Sequence, residues 1–566
     1  EDCNLTGIEF VESNSRYYPL GDFCSYVVGY AKSYNDQSVK KMVGEMGLEL
    51  SYDKQLKGKN GYKVYQTDAN GYALVDGTLR EKDPTNGNDL YLTIDSGLQR
   101  NLDYLMSNAY SESGAEVVTA GVMEIKTGKI LAMSTYPSFN PNERNISTFN
   151  NYFLEGTIEC GSVFKPFIYA DSIEEGKYDH NAYYNSGSYN VYYGNKLVAT
   201  IKDHNGGQGW GTITYDQGLY HSSNVAICNL LDQGYVTKDV LTEKLNDLGF
   251  FQGDTMDGLT CSSSINAYTR KNAGRLEYLT TGFGQGSTVT PYQLLKAYSV
   301  FGNDGKTVQP HIVDKVVNPE TNKVVYQATP KYSKQIFSTN TISQVKDLML
   351  GVIEDEQGTG KIYRLDNDVR MIGKTGTGQV VENGGYSTTL YMHSFVGIAP
   401  YDDPQVVMFL TFKSGDSYAQ YMPNIVKQTM NEALQVVNRY NAKNTTAVDQ
   451  SCTLDSYTNQ SVNYVKSKLE SKSLSVQIIG NGSSVIEQYP LAKSKVTSGD
   501  KVFIKTEGKD ITLPNLIGWS KKEVQTYASL AGIQLTIDGT SGHVTAQSVG
   551  ENTVVHSGDS LTVAIS

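Results

Sequence analysis

The sequence predicts a multidomain α+β protein, and three observations support this prediction. The 566 residues are enough for roughly three or four domains of ordinary size. In the central part of the chain, strand-like segments stand at both ends with helical segments between them, which is typical of one antiparallel sheet covered by helices. In the last part, one pattern of residues occurs twice at an offset of 59 residues, which indicates a duplicated small module.

Residues 1–90 are predicted to form an N-terminal domain of short strands and loops. The turn-forming run Asp83-Pro84-Thr85-Asn86-Gly87 closes this segment. The chain opens on Glu1-Asp2-Cys3 without a recognisable signal peptide, and no stretch approaches the roughly 20 apolar residues that span a bilayer. Either the protein is soluble or a membrane anchor lies outside this sequence, and the sequence leaves both alternatives open.

Residues 91–444 are predicted to form a central domain with a five-stranded antiparallel sheet flanked by helices. Two apolar runs, Val117–Ile125 and Ile130–Thr135, are joined by a short polar turn and predict a hairpin. Three strand-like runs follow late in the domain: Val369–Ile372, Ser394–Ile398 and Val406–Phe412. We expect the two early strands to join these three in one sheet. Apolar residues from Met422 to Val437 follow the spacing of one helix face, so a helix is expected to pack there.

Residues 452–508 and 509–566 are predicted to be two copies of one small α/β module. Ser498-Gly499-Asp500 in the first copy corresponds to Ser557-Gly558-Asp559 in the second, and further pairs keep the same offset. Each copy is predicted to contain one helix followed by three short strands.

Charge and cysteine content argue against several functions. The net charge of −12 is spread along the chain, whereas nucleic-acid binding needs clustered Lys and Arg. The six cysteines are scattered without a Cys-x-x-Cys pair, so isolated buried thiols are predicted, with a disulfide as the alternative. Five side chains that are competent to bind zinc fall in one stretch, but their spacing matches no ligand motif, so no metal is predicted. They are Cys160, Asp203, His204, His221 and Cys228.

Ser162-Val163-Phe164-Lys165 is the first candidate for catalysis. On a helix, residues three apart share a face, so the Lys165 amine can lie beside the Ser162 hydroxyl. A serine needs a neighbouring base before it becomes a good nucleophile, and a lysine serves when burial and nearby cations lower its pKa. Gly161 leaves room for a substrate at the helix N-terminus, where backbone N–H groups point at a developing oxyanion.

Two further motifs follow in the chain. In Ser222-Ser223-Asn224, Ser222 could relay a proton, and the Asn224 amide could both donate to and accept from a peptide substrate. Lys374-Thr375-Gly376-Thr377 follows an apolar strand, where its lysine and two hydroxyls could hold a carboxylate. The glycine of this motif would let another backbone lie close to the strand.

Each motif also occurs elsewhere in the chain, so the prediction depends on their order and context. Ser-x-x-Lys, then Ser-x-Asn, then Lys-Thr-Gly is the signature of penicillin-binding proteins and class A β-lactamases. A Ser-His-Asp triad is the rival arrangement. No Gly-x-Ser-x-Gly elbow is present, and no histidine stands in a matching context, which disfavours the triad.

With these motifs, the chain resembles the class B penicillin-binding proteins, which are monofunctional D,D-transpeptidases. The resemblance extends over nearly the whole chain: the first domain resembles the family's pedestal, or dimerisation-type, domain, and the tail resembles two PASTA modules. The segments that carry it are Arg16–Gly21, Gly47–Gly58, Leu92–Gln99, Gly284-Gln285-Gly286, Asn303-Asp304-Gly305 and Ser394–Gly397. The combination is typical of the penicillin-binding protein 2x and sporulation protein V-D group of Gram-positive bacteria.

The resemblance implies a role for each motif residue. Ser162 would be the acylated nucleophile and Lys165 its base. Ser222 would pass a proton, and Asn224 would bind the donor peptide. The strand Lys374-Thr375-Gly376-Thr377 would bind the terminal carboxylate, and the N–H groups of Ser162 and Thr377 would form the oxyanion hole. Cys160 departs from the family, which commonly has proline there, so thiol or metal chemistry at that position stays open.

The expected function is therefore peptidoglycan cross-linking through a serine acyl-enzyme, without a cofactor and with inhibition by β-lactams. The expected partners are donor and acceptor stem peptides and other cell-wall enzymes such as a glycosyltransferase. The resemblance also implies a single-pass membrane anchor outside this sequence and a place on the extracytoplasmic face of the membrane. The alternatives are a β-lactamase, a β-lactam sensor or a non-catalytic scaffold for cell division. The sequence does not separate division, elongation and sporulation.

Overall fold

The structure is a computed structural model that describes residues 15–565 except 37–38, 71–72, 366–368, 383, 445–451, 471, 473, 497–499 and 540–543. The chain divides into two compact units, Glu1–Val436 and Val437–Ser566. The start of the predicted N-terminal domain and Ser498-Gly499 of the predicted repeat lie outside the described residues. The predicted boundaries 1–90, 91–444, 452–508 and 509–566 stay predictions.

The N-terminal segment consists of short helices and two antiparallel hairpins. Among the described residues of this segment, the strands of each hairpin pair with one another and not with the central sheet. The elements are α1 (Ser25–Val28), β1 (Tyr30–Asp36), β2 (Val39–Met46), α2 (Gly47–Ser51), α3 (Asp53–Leu56), β3 (Tyr62–Thr67) and β4 (Ala73–Lys82).

The central domain alternates helices with short strands. Its elements up to the second motif are β5 (Asp89–Leu92), α4 (Ser96–Ser113), β6 (Val117–Glu124), β7 (Ile130–Tyr136), α5 (Tyr152–Glu155), α6 (Lys165–Glu174), β8 (Tyr183–Asn185), β9 (Ser188–Tyr193), β10 (Lys196–Lys202), β11 (Thr212–Thr214), α7 (Tyr215–Tyr220) and α8 (Asn224–Asp232). The remaining elements are α9 (Lys238–Asp247), β12 (Asp254–Met256), β13 (Leu259–Cys261), α10 (Arg275–Gly282), α11 (Pro291–Tyr298), β14 (Val313–Asn318), β15 (Lys323–Gln327), α12 (Thr339–Glu354), β16 (Ile372–Glu382), β17 (Gly385–Ala399), β18 (Val406–Ser414) and α13 (Met422–Asn444).

The predicted five-stranded antiparallel sheet is confirmed, with strand order β16-β17-β18-β6-β7. The early hairpin joins the late strands through β6 and β18, where Leu410 lies opposite Ala120. Both strands are buried along almost their whole length because helices cover both faces of the sheet, which explains their continuous apolar runs. The expected strand at Val369–Ile372 begins only at Ile372, but it continues through the whole Lys-Thr-Gly motif to Glu382.

Helices cover the sheet and hold the motifs against it. Helix α4 packs on β7, α11 packs on β18 and β6, and α12 packs on β16, α6 and α7. The predicted helix over 422–437 is confirmed by α13, whose apolar positions Met422, Val426 and Met430 are fully buried. Within the described residues, no helix combines the length and the apolar composition that a membrane span requires.

The second unit contains the two predicted modules. Each module has a three-stranded mixed sheet, and its outer strands pair with the same central strand, one parallel and one antiparallel. Two short two-residue strands in each module were not predicted, because so few residues carry no periodicity. The elements are β19 (Cys452–Thr453), α14 (Val462–Glu470), β20 (Ser475–Ile479), β21 (Val485–Tyr489), β22 (Lys495–Val496), β23 (Lys501–Thr506), β24 (Ile511–Thr512), α15 (Lys521–Ala531), β25 (Gln534–Asp538), β26 (Val544–Gln547), β27 (Val554–Val555) and β28 (Ser560–Ile565).

The two modules share part of their apolar core. Ile479 and Phe503 of the first module pack in one cluster with Trp519 and Tyr527 of the second. The Lys501 amine lies 3.7 Å from the centre of the Trp519 ring. The modules are therefore packed against one another rather than joined only by a linker.

Candidate active site

The structure brings the three sequence motifs together in the central domain. Ser162 lies in a short 3₁₀ helix, Gly161–Phe164, that leads directly into α6. Ser222 lies in the loop between α7 and α8, and Lys374 lies on the edge strand β16 of the sheet. The 3₁₀ helix contacts β16, so the first and third motifs are neighbours although they are more than 200 residues apart in the chain.

The contact between the 3₁₀ helix and β16 requires glycine on both sides. Gly161 has a φ of +61°, and a Cβ there would collide with the carbonyl oxygen of Thr377. A Cβ on Gly376 would lie 2.7 Å from the carbonyl oxygen of Cys160. The close backbone that the sequence predicts beside Gly376 is therefore the chain's own segment in front of Ser162.

Ser222 joins the two buried lysines. The Lys165 amine donates to the Ser222 carbonyl oxygen at 2.5 Å and to its hydroxyl at 3.4 Å. The Lys374 amine donates to the same hydroxyl at 2.8 Å and to the carbonyl oxygen of Thr375 at 3.0 Å. Ser222 has a φ of +57°, a left-handed conformation that non-glycine residues seldom adopt and that is common at functional sites.

Both lysines are fully buried, and this changes their acidity. Burial lowers the pKa of Lys165 to about 7, although the negative charge of Asp203 acts in the opposite direction. Burial and the neighbouring charge of Lys165 lower the pKa of Lys374 well below its usual range. An amine with a pKa near neutrality is suited to accept a proton from a hydroxyl.

Ser162 is half-buried, in the segment that contacts β16. In a 3₁₀ helix, residues three apart are eclipsed, so Ser162 and the first residue of α6, Lys165, lie on one side. Within the described part of the chain, the Ser162 hydroxyl makes no hydrogen bond and the Lys165 amine is directed at Ser222. The Ser162 hydroxyl is therefore not tied to another side chain among the described residues.

The remaining motif residues lie around this cluster. The side-chain amide of Asn224 donates to the carbonyl oxygen of Lys202 at 2.9 Å. The Thr375 hydroxyl donates to the Thr359 hydroxyl at 2.9 Å, whereas Thr377 is exposed. These hydroxyls and amides can bind a peptide and its carboxylate next to the two lysines.

Two residues beside the motifs were assigned no catalytic role from the sequence. Thr359, in a loop after α12, holds the Thr375 hydroxyl. Asp203, which the sequence suggested only as a possible metal ligand, accepts hydrogen bonds from the backbone at the start of α8. No local signal identifies either residue, because both act through contacts between distant segments.

The alternatives of a metal site and a disulfide find no support among the described residues. No group of three or more His, Cys, Asp or Glu side chains is placed to hold a metal ion there. Cys24, Cys160, Cys228 and Cys261 are free and buried, as the sequence predicts for isolated thiols. Cys3 and the side chain of Cys452 lie outside the described part.

Three family models match the chain in the order that the sequence suggests. The penicillin-binding protein dimerisation domain matches residues 2–92, and the penicillin-binding protein transpeptidase domain matches residues 118–435. The PASTA domain matches twice, at residues 453–508 and 511–566. The family predicted from the sequence is therefore confirmed.

Individual relatives agree with these models. The chain is 30% identical over 90% of its length to stage V sporulation protein D of Bacillus subtilis, of which it covers 78%. It is 28% identical over 72% of its length to a peptidoglycan D,D-transpeptidase FtsI homolog of Mesostigma viride, of which it covers 69%. The crystal structure of penicillin-binding protein 2X from Streptococcus thermophilus superposes with a TM-score of 0.66 and 25% identity, over 97% of this chain and 82% of that one. The chain thus belongs to the penicillin-binding protein transpeptidase family.

Proposed function

We propose that this chain carries out the peptidoglycan D,D-transpeptidation of its family through an acyl-enzyme on Ser162. The observation that carries the proposal is the bridging position of the Ser222 hydroxyl between the buried amines of Lys374 and of Lys165, which stands three residues after Ser162. Such a cluster can take a proton from one oxygen and deliver it to a leaving amine, which is what acyl transfer requires.

In the first step, neutral Lys165 takes the proton of Ser162, and Oγ attacks the carbonyl carbon of the penultimate D-alanine of a donor stem peptide. The carbon–nitrogen bond breaks, and the terminal D-alanine leaves after its amine receives a proton through Ser222. The N–H groups of Ser162 and Thr377 would stabilise the oxyanion. Lys374, Thr375 and the exposed Thr377 would bind the terminal carboxylate.

In the second step, the amine of an acceptor stem peptide attacks the ester on Ser162. The ester carbon–oxygen bond breaks, Ser162 recovers its proton, and a new peptide bond joins the two stems. One peptide bond replaces another, so the reaction needs no external energy source. A β-lactam supplies a strained amide in the first step, and its leaving group stays attached, which stalls the acyl-enzyme.

The proposal is tested by covalent labelling with a fluorescent penicillin. We expect stoichiometric labelling of the wild type and none of Ser162→Ala. Ser343→Ala is the matched control, because Ser343 and Lys346 have the same spacing on helix α12 while Ser343 is exposed to solvent. Labelling of Ser162→Ala at the wild-type level would refute the assignment, and steady turnover of a chromogenic cephalosporin would indicate a β-lactamase instead.

We also propose that the protein acts at the extracytoplasmic face of the membrane, held by a single-pass anchor outside this sequence. Its substrate is polymerised outside the cytoplasm, so a glycosyltransferase that makes the glycan strands is the expected partner. Fractionation of the native host protein, with and without alkaline extraction, tests the anchor. Cross-linking in intact cells followed by identification of the bound proteins tests the partner.

A further inference from the structure

We propose that Asp203 is a positioning residue of this active site, which fixes the Ser222 loop by its hydrogen bonds and supplies the opposing charge for Lys165. This inference rests on the proposed function, because it assigns Lys165 the part of the base. Asp203 follows directly on strand β10 and belongs to none of the three sequence motifs.

Asp203 is a buried carboxylate, 1% exposed, whose oxygens face four donors. One oxygen accepts the backbone N–H of Gly187 at 2.8 Å. The other accepts three hydrogen bonds: from the Ser223 hydroxyl at 2.9 Å, the Asn224 N–H at 2.8 Å and the Val225 N–H at 3.1 Å. The first N–H groups of a helix have no acceptor within the helix, and a negative charge there is favourable. Asp203 therefore anchors the N-terminus of α8 to the end of β10.

The residues that Asp203 binds at the start of α8 follow directly after Ser222, whose left-handed backbone conformation is strained. On the other side of the loop, the N–H groups of Ser222 and Ser223 donate to carbonyl oxygens of α7 at 3.0 and 2.7 Å. Asp203 holds the residues that follow, so the left-handed conformation of Ser222 is fixed from both sides. The Ser222 carbonyl and hydroxyl groups are thereby presented to Lys165.

The charge of Asp203 acts on the same lysine. The groups that face Lys165 are Lys374, which shares the Ser222 hydroxyl, the thiol of Cys228, the carboxylate of Asp203 and the imidazole of His204. Burial lowers the pKa of Lys165 to about 7, whereas Asp203 raises it. Removal of the carboxylate charge should therefore lower the pKa of Lys165 further, and a structural role alone would not do so.

The test is the pH profile of the rate of acylation by a fluorescent penicillin, measured between pH 5 and 9 for Asp203→Asn in the full chain. Acylation requires neutral Lys165, so its acid limb reports the pKa of this amine. We expect the acylation rate of the variant to reach a plateau about 10- to 100-fold below that of the wild type, because the Ser222 loop is displaced. We also expect the acid limb of its profile to lie at lower pH than in the wild type. An acid limb at the wild-type position would overturn the proposal, even with a lower plateau.

Two further variants separate the two contributions of Asp203. Ser223→Ala removes the hydroxyl that donates to Asp203 and that accepts the Ala226 N–H at the start of α8, but it leaves the charge of Asp203. A lower plateau with an unmoved acid limb is therefore expected. Asp257→Asn is the matched control, since this carboxylate also accepts two backbone N–H groups, from Ile312 and Val313, but lies outside the cluster. Its profile should equal that of the wild type, and a shifted acid limb in it would contradict the proposal.

The folded state of each variant is checked by its thermal unfolding. If Asp203→Asn does not fold, Asp203→Glu replaces it, because glutamate keeps the charge but displaces the carboxylate. The acid limb should then stay in place while the plateau falls, and an acid limb at lower pH would overturn the proposal. Failure of the wild type to acylate would instead refute the proposed function, so the two failures are distinguishable.

Discussion

The acidity of Lys165 gives a quantitative prediction for the wild-type protein. Its amine is fully buried, and burial lowers its pKa to about 7. Under the proposed mechanism, the form that accepts a proton from Ser162 is the neutral amine. As the pH falls through 7, the amine becomes protonated and acylation slows, whereas above 8 the rate should be almost constant.

The magnitude follows from the neutral fraction of Lys165. With a pKa of about 7, roughly nine-tenths of the amine is neutral at pH 8 and roughly one-hundredth at pH 5. Acylation should therefore be about 90-fold slower at pH 5 than at pH 8. A lysine with an ordinary pKa near 10.4 would give a rate that still rises tenfold per pH unit at pH 8.

The assay is the second-order rate of labelling by a fluorescent penicillin at constant ionic strength. His204 is the control, because the charges of both lysines act on this imidazole, which also titrates in acid. Burial and the charges of Lys165 and Lys374 lower the pKa of His204 below its usual 6.5, so the midpoint near pH 7 should persist in His204→Gln. A rate that is flat from pH 5 to 8, or a midpoint that disappears with His204, would refute the role of Lys165.

Three further predictions concern the site and the two units of the chain. Gly161→Ala should slow labelling by fluorescent penicillin at least about 100-fold, since its Cβ meets the neighbouring strand. Gly114 also has a left-handed φ but open space around it, so Gly114→Ala is the control and should be labelled at the wild-type rate. Equal labelling rates of the two variants would contradict the steric argument. Burial raises the pKa of Asp103 to about 6 from 3.8, so its contribution to stability is present below pH 4 and is lost as the pH rises through 6. Asp103→Asn should remove this loss of unfolding free energy, which is about 3 kcal/mol between pH 4 and 8. An unfolding free energy with the same pH dependence in the variant as in the wild type would contradict this prediction. Trp519→Ala should destabilise the C-terminal unit by about 3–5 kcal/mol in calorimetry, whereas substitution of the exposed Ile517 by alanine should have little effect. An unshifted unfolding transition in Trp519→Ala would show that the shared core does not stabilise the modules.

Strong local patterns in the sequence were enough to predict the sheet and the long helix α13. The hairpin of β6 and β7 has a continuous apolar pattern on both sides of a glycine turn, and α13 has a regular helical spacing over several turns. The start of β16 was less well predicted, because Val369 has the composition of a strand residue but precedes the first ladder partner, Ile372. Local composition indicates where a strand is possible, whereas pairing with a neighbour decides where it begins.

The three motifs could be found in the sequence, but the contacts between them could not be predicted from it. The spacing of Ser162 and Lys165 suggests a direct contact, yet the Lys165 amine is directed at Ser222, 57 residues further along the chain. Asp203 and Thr359 belong to none of the three motifs, since each contacts a motif segment that only the fold brings close to it. Spacing rules describe neighbours on one element, and this site is assembled from several.

The two buried lysines explain why these connections matter for the chemistry. Lys165 and Lys374 approach the same hydroxyl of Ser222, and two ammonium groups at this separation in a buried site repel one another strongly. This repulsion disappears when one amine is neutral, and under the proposed mechanism the neutral amine is the base for Ser162. If the terminal carboxylate of a donor peptide binds at Lys374, it stabilises the charge on that lysine and leaves Lys165 as the neutral partner. Substrate binding would thus favour the proton on Lys374 and keep Lys165, beside Ser162, in the neutral form that already predominates at pH 8.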